Sequence, residues 1–333
     1  MTTPDRDFDY PRTGFVLPSD QSSAELLTLA EDAAVAGFDS VWAPGGWGYD
    51  PLVLLGCVAE RTDCHLGTCV VNGFSRTPAT LAASSLTLHE ATAGRFILGI
   101  GASTPSVVNG FHGRSFDRPL RRLRETIEII QLALSGETID YDGKVFQLDG
   151  FAITNAEGAT VPVFNGALGR TNLAMTIDYA DGWIPHLFPL PALEAALADA
   201  RDRAATTRMP HVCPSVPTAI NENPSEAQQL LTEHITSYVG SAEFYRDVIA
   251  DNGFPEEANA IHEAWQNGDR EAAVSAVTRD LLDAIGIAGT PSYGRKRLES
   301  ILETVDSVLI SFPRGGGPEL YRTVVEALEP ALD

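Results

Sequence analysis

With 333 residues, 44% of them apolar, the chain is long enough to bury a full core and falls in the size range of barrel domains, which excludes a disordered tail. No apolar run approaches the ~20 residues needed to cross a bilayer, and the acidic, polar start MTTPDRDFDY does not read as a signal peptide, so a soluble cytoplasmic protein is expected. Forty-five acidic residues against 23 basic ones give a net charge of −22, a surface that repels nucleic acid and anionic membranes.

The acid is scattered, and only Lys144 and Lys296 are lysines. The expectation is a halophilic protein, adapted to a salty cytoplasm in which dense carboxylates hold water. Its unfolding midpoint should then rise between about 0.1 M and multimolar KCl as screening relieves self-repulsion; a midpoint that does not rise removes the idea. Cys57, Cys64, Cys69 and Cys213 form no CxxC pair and read as free thiols, so no metal site is expected.

In chain order, Gly14 to Leu17 reads as a strand. Ser22 or Ser23 then caps a helix to Val35. Phe38 to Ala43 is a second strand, and Asp50-Pro51 opens a helix to about Glu60. Cys64 to Val71 is a third strand, followed by the loop Asn72 to Thr77 and a helix from Pro78 to Thr92. The fourth strand lies in GRFILGIGAS, 94–103, whose end Gly101-Ala102-Ser103 is cleared of large side chains so that a flat ligand can meet backbone.

Asp117-Arg118-Pro119 caps an amphipathic helix with Leu120, Leu123, Ile127, Ile130 and Leu134 on one stripe. A hairpin turns at Asp142-Gly143. Val161 to Phe164 is strand five, Arg170 to Tyr179 a helix, Asp181 to His186 strand six, Ala192 to Ala205 a helix and Val212 to Ile220 strand seven. From Pro224 to Glu303 only helical patterns are visible. Val305 to Phe312 is strand eight, and the last helix runs from Pro318 to about Ala331. Eight strands alternating with helices predict an α/β fold, a (β/α)8 TIM barrel, as one domain over 1–333 with a helical insertion at 222–303 between strands 7 and 8. A doubly wound sheet should carry Gly-x-Gly-x-x-Gly opening a helix; here Thr104 stands at the third glycine.

The C-terminal strand ends are the working face of such a barrel. They are rich in Gly, Asn, Ser, Trp and Arg and hold no carboxylate pair, nucleophile elbow or His-x-x-x-His pair. Asn165 to Gly169 leads into a helix beginning at Arg170; it is either an anion site or a plain glycine-rich connection. Arg314 to Gly317 reads as a plain connection. His112 and His186 are the histidines expected at the rim, and Trp47 and Trp183 are either ring-packing or core residues.

Taken together, GRFILGIGAS, TCVVNGFSRTP at 68–78, HGRSFDRPLRRLRE at 112–125 and VPVFNGALG at 161–169 resemble the luciferase-like monooxygenase superfamily, and within it the coenzyme F420-dependent branch that includes methylenetetrahydromethanopterin reductases. The resemblance implies a (β/α)8 barrel with the deazaflavin at its C-terminal mouth and a non-prolyl cis peptide at Cys69–Val70 behind the ring. It implies Asn72, Gly101, Ala102 and Ser103 near the ring or its side chain, and Gly166, Ala167, Leu168 and Gly169 at the cofactor phosphate. Arg170, Arg76 and Arg314 would neutralise the acidic tail. It also implies an F420-dependent oxidoreductase acting on a small organic substrate, as a homodimer or larger. An FMN-dependent monooxygenase and a cofactor-binding protein without efficient catalysis are the alternatives.

Two positions depart from the reductase pattern. The Asp-His pair after strand two is Gly45-Gly46 here, and the acidic residue of strand one is replaced by Val16 and Leu17. Proton handling then falls to Trp47, His112 or His186, or hydride transfer needs no protein donor.

Overall fold

The computed structural model describes residues 8–46, 48–156 and 159–332. The chain alternates strand and helix: β1 (Thr13–Val16), α1 (Ser23–Val35), β2 (Ser40–Ala43), α2 (Pro51–Ala59), β3 (His65–Thr68), β4 (Val71–Asn72), α3 (Pro78–Ala91) and β5 (Phe96–Gly101). After α4 (Pro119–Leu134) comes the hairpin β6 (Ile139–Asp142) and β7 (Gln147–Phe151). Then follow β8 (Val163–Asn165), α5 (Arg170–Tyr179), β9 (Gly182–Trp183), α6 (Leu193–Arg201), β10 (His211–Val212) and β11 (Ser215–Ile220). Five helices come next: α7 (Pro224–Ser241), α8 (Glu243–Asp251), α9 (Pro255–Gln266), α10 (Arg270–Ser275) and α11 (Arg279–Ile285). The chain closes with β12 (Ile287–Gly289), α12 (Pro291–Leu302), β13 (Val308–Ser311) and α13 (Gly317–Leu328).

Local chemistry sets the helix starts. Ser22 and Glu25 form a reciprocal capping box on α1, and Asp50 and Thr77 cap α2 and α3 ahead of Pro51 and Pro78. At α4 the expected side-chain cap is absent: Arg118 is the capping position, in a left-handed conformation, and makes no capping bond. The buried Glu125 of α4 instead takes the backbone N–H groups of Lys144, Val145 and Phe146 at 2.8–3.0 Å, which pins the β6–β7 turn.

The main sheet runs β10-β9-β8-β5-β3-β2-β1-β13-β11-β12, with β4 also on β5, and its pairings are parallel. It is strongly curled. On one side of the stretch 211–220, Cys213 and Ser215 donate to Trp183 and Pro185; on the other, Leu309 donates to Pro214. Helices cover the outside, burying Leu26, Leu55, Leu81, Ile127 and Val324 against the sheet. Inside the curl, Val16, Trp42, Ile97, Phe164, Ile184, Cys213 and Leu309 pack from successive strands. Trp42 is fully buried and fits because Gly67 has no side chain, a Cβ there falling 2.4 Å from the indole. Removing such an aromatic from the core costs about 3–5 kcal/mol.

Three expectations about elements are corrected. The third strand is interrupted: Gly67 pairs with Ile97 but Val71 pairs with Ile100, so one extra residue sits between them, and Cys69–Val70 is a cis peptide. The seventh breaks at Cys213-Pro214, because proline has no N–H for the ladder. The stretch 224–303 is not wholly helical: Ile287–Gly289 forms β12 and pairs with Thr218–Ile220. Three residues are too short for periodicity to reveal.

Candidate functional site

The C-terminal ends of the strands surround a cleft of about 780 Å³. Its floor is built around one residue, Val70. A Cβ added to Gly101 would meet Val70 Cγ2 at 2.9 Å, one on Gly166 would meet it at 3.3 Å, and one on Gly45 would fall 2.6 Å from the Val70 carbonyl oxygen. The ends of β2, β5 and β8 thus close on Val70 with no side chains between them. Gly45 is demanded by this packing, because a Cβ there has no room beside the Val70 backbone. Gly46 has open space and is not so constrained.

Beneath the floor, Thr68 Oγ1 donates to Gly99 O at 2.7 Å and accepts from Gly99 N at 2.9 Å. A side chain thereby replaces the ladder bonds lost where β3 gives way to β4. Asn72 Oδ1 accepts from the N–H groups of Phe74 and Ser75, which orients its amide, and Nδ2 donates to His112 Nε2 at 3.3 Å. Ser103 turns the chain away at φ 63°, a conformation uncommon outside glycine and often found at functional sites.

Of the residues expected at the site, Cys69, Val70, Asn72, Gly101, Ala102, Ser103, Gly166, Leu168 and His186 line the cleft. His112 does not; it stands behind Asn72. Ala167 is buried with its carbonyl accepting the Trp183 indole N–H at 2.7 Å, and Trp183 is a core residue. Gly169 caps α5 outside the lining, and the exposed Arg170 guanidinium lies 3.9 Å from Asp199. Arg76 is paired with Asp50. Trp47 lies outside the described residues.

The opposite wall contains groups that sequence reading missed. His234, Tyr238 and Tyr245, from α7 and α8, line the cleft beside His186 and Arg314. The spacing of His234 and Tyr238, one helical turn, puts both on one face. No sequence signal says that this face looks into a cleft rather than a core. The His186 and His234 rings are 6.2 Å apart, and Tyr238 lies 4.9 Å from His234.

Burial pushes His186 down to about 4; burial, with His186 and Arg314 nearby, pushes His234 down to about 3. Both rings are therefore neutral at pH 7. Folding lowers these values from 6.5, so the stability they carry is complete above pH 6.5 and is lost as pH falls toward 4. The unfolding free energy should fall through that window by up to about 1.4 kcal/mol per pH unit for each fully buried histidine, the cleft-facing His186 contributing less. His65, His89 and His211 are lowered by burial as well and add to the background. His234→Gln should flatten the slope in urea titrations at stepped pH; an unchanged slope would count against a buried neutral His234.

Other groups are unsuited to nucleophilic or acid–base work. Burial pushes the Cys69 thiol up to about 12, far from a reactive thiolate. Asp20, the carboxylate on the lining, accepts from the Tyr321 hydroxyl at 2.8 and 2.9 Å. Among the described residues no His/Cys/Asp/Glu group is arranged to hold a metal. The arrangement can seat a flat ring on backbone, shield it from water and donate hydrogen bonds, while the redox chemistry must be brought in.

Fold and cleft define an α/β protein of TIM-barrel-like form with its site at the carboxyl ends of the strands. The chain matches the luciferase-like monooxygenase family over residues 8–306 and belongs to it. It is 30% identical over 310 residues to a Mycobacterium tuberculosis protein named as a coenzyme F420-dependent oxidoreductase, covering 84% of this chain and 86% of that one. It is 29% identical over 307 residues to the 5,10-methylenetetrahydromethanopterin reductase of Archaeoglobus fulgidus, covering 87% and 89%. In three dimensions it resembles the coenzyme F420-dependent tetrahydromethanopterin reductase of Methanopyrus kandleri, with a TM-score of 0.78, 21% identity, and 96% and 98% of the two chains covered.

Proposed function

We propose that this protein is a coenzyme F420-dependent oxidoreductase that transfers hydride between the deazaflavin and a small organic substrate, a methylene-tetrahydropterin being one candidate. The observation that carries the reading is the side-chain-free floor around Val70, where a flat ring can approach backbone from three strand ends. The names of the relatives point the same way. In this reading Cys69 and Val70 back the ring, and Asn72, Gly101, Ala102 and Ser103 lie along it or its side chain. The turn Gly166–Gly169 and the first N–H groups of α5 hold the phosphate, with Arg170 beside them. When bound, the deazaflavin supplies two-electron transfer with little reactivity toward oxygen. The protein supplies orientation, a water-poor cleft and neutral hydrogen-bonding groups, His186 among them; His112 acts through Asn72.

Two other readings have support of their own. The same floor suits an FMN ring, as in an FMN-dependent monooxygenase. Gly45, Gly46 and two neutral histidines favour a cofactor-binding protein without efficient catalysis. Fluorescence quenching in high salt with F420 and with FMN separates them. F420 binding with turnover on aldehydes, alcohols, pterins or enones is expected; tight FMN binding without F420 binding rejects the proposal, and F420 binding without turnover moves it to the third reading.

In architecture we read β1, β2, β3 with β4, β5, β8, β9, β10 with β11, and β13 as a closed (β/α)8 barrel, one domain over 1–333 with 222–303 inserted. We further read it as a cytoplasmic homodimer. The sequence PLVLLGCVA of α2 is uncharged, yet Val53 is 68% exposed on it and Cys57 is exposed. On the neighbouring α3, Thr80, Ala83 and Thr87 are exposed, and no acidic residue occurs from Cys64 to His89. In a chain of charge −22 this face can meet a second copy without repulsion. Val53→Glu should give monomers in analytical ultracentrifugation; a surviving dimer, or a monomeric parent protein, overturns the assignment.

A further inference from the structure

Among the described residues, Arg314 is the only Arg or Lys lining the cleft. Among the described residues it has no carboxylate within ion-pair distance, although the chain carries 45 acidic residues. Its guanidinium is held by aromatic and neutral groups instead. It stands 4.7 Å from the Tyr238 ring centroid, and Nη2 donates to Tyr238 Oη at 3.4 Å. The Arg314 backbone N–H donates to His234 Nδ1 at 3.1 Å. That bond puts the His234 proton on Nε2, which is buried and has no hydrogen-bond partner, in a side chain only 4% exposed. A cation without a counter-charge and a buried donor without an acceptor therefore meet on one wall. The first lacks a counter-charge and the second an acceptor, and the described residues provide neither.

The wall's place in the sheet says which ligand it serves. From β13, which delivers Arg314, the steps to β5 are β1, β2, β3, β5 one way, and β11 with β10, β9, β8, β5 the other. Arg314 therefore stands across the mouth from Gly101–Ser103 and three strand positions from the Gly166–Gly169 turn, which adjoins β5 through β8. This changes the role expected for Arg314, which was grouped with Arg170 and Arg76 at an acidic cofactor tail.

We propose that Arg314, braced by Tyr238 and His234, recognises a carboxylate carried by the substrate, on the wall opposite the cofactor floor. The assignment of sides rests on the reading that the glycine floor holds the cofactor. A single planar guanidinium matches a carboxylate in a bidentate pair. The lining offers one Arg and one Asp with neutral histidines, which leaves no second positive charge for a dianionic phosphate. Tyr238 Oη accepts from Arg314, so its own proton is free to reach the second carboxylate oxygen.

Isothermal titration at pH 7.5 and constant KCl tests this with benzoate, inorganic phosphate and F420 as probes, on the parent protein, Arg314→Gln and Arg314→Lys. Benzoate should bind the parent protein more tightly than phosphate. Arg314→Gln should weaken benzoate about tenfold or more, and Arg314→Lys by less, because Lys keeps charge without the fork. F420 affinity should stay within about twofold for both variants, since the pair is specific to the far wall. Thermal midpoints equal to the parent's exclude misfolding, which the exposed position of Arg314 makes easy to meet. No benzoate binding, benzoate binding indifferent to Arg314, or tighter phosphate binding overturns the carboxylate site. A parallel loss of F420 affinity returns Arg314 to the cofactor tail and overturns the proposal. Arg314-dependent benzoate binding in a protein that never binds F420 supports the carboxylate site while rejecting the F420 reading.

Discussion

Gly99→Ala is expected to remove more than about 4 kcal/mol of stability or to abolish soluble protein, a severe effect of the kind overpacked backbone contacts produce. An alanine Cβ at this position would fall 1.7 Å from Thr68 O, a backbone atom. That atom is poorly placed to retreat. Thr68 is bonded to Gly99 through its hydroxyl on one side, and β3 pairs with β2 on the other, where Cys69 N–H donates to Ala43 O at 2.9 Å. A thermal midpoint lower by roughly 6 °C or more corresponds to that loss in a chain of this size. A midpoint within about 1 °C of the parent's would show that the Thr68 segment gives way cheaply, because so small a shift is under 1 kcal/mol. The same contact carries the floor of the cleft, since Cys69 and Val70 follow Thr68 and Gly101 lies two residues beyond Gly99. A variant that folds poorly should lose cofactor binding with it.

Gly169→Asp separates the two properties. Gly169 has extended backbone, φ −86°, and a Cβ there meets nothing within 4 Å, so aspartate fits. As the residue capping α5, which has no side-chain capping bond at present, aspartate should leave stability unchanged or raise it by about a few tenths of a kcal/mol. In the proposed complex the same carboxylate stands where the cofactor phosphate meets the helix N-terminus. A like-charge contact at about 4 Å in a partly screened site costs up to about 4 kcal/mol, so F420 affinity should fall by about a hundredfold or more. Fluorescence quenching and thermal melts on the same preparation give both readings. Unchanged affinity removes the Gly166–Gly169 turn from the cofactor site whatever the melting curve does.

The features readable in advance are those with a local cause. The starts of α1, α2 and α3 follow from Ser22, Asp50-Pro51 and Thr77-Pro78, because a capping bond is made within one turn of chain. Apolar runs such as FILGI mark strands buried on both faces. The cleared end Gly101-Ala102-Ser103 does lie on the cleft. Side-chain direction at the rim was less legible. Arg170 follows the Asn165–Gly169 turn in sequence and Arg76 lies in the loop after β4, yet each lies by a nearby aspartate, Asp199 and Asp50. In so acidic a chain many arginines find a carboxylate, and which one wins depends on the packing of α5 against α6 and on the approach of α2 to the loop after β4.

The sequence by itself determined the alternation of strands and helices, the charge of the surface and the glycines at three strand ends, because periodicity, composition and the lack of a Cβ act over a few residues. It also carried the likeness to a family to which the chain belongs. Only the tertiary structure decided that Gly45, Gly101 and Gly166 converge on Val70, and that His234 and Tyr238 reach the cleft beside Arg314. These groups are 80 and 76 residues apart along the chain from Arg314. Their meeting depends on how far the sheet curls and on where the helices after β11 come to rest, and both are set by packing across the whole molecule.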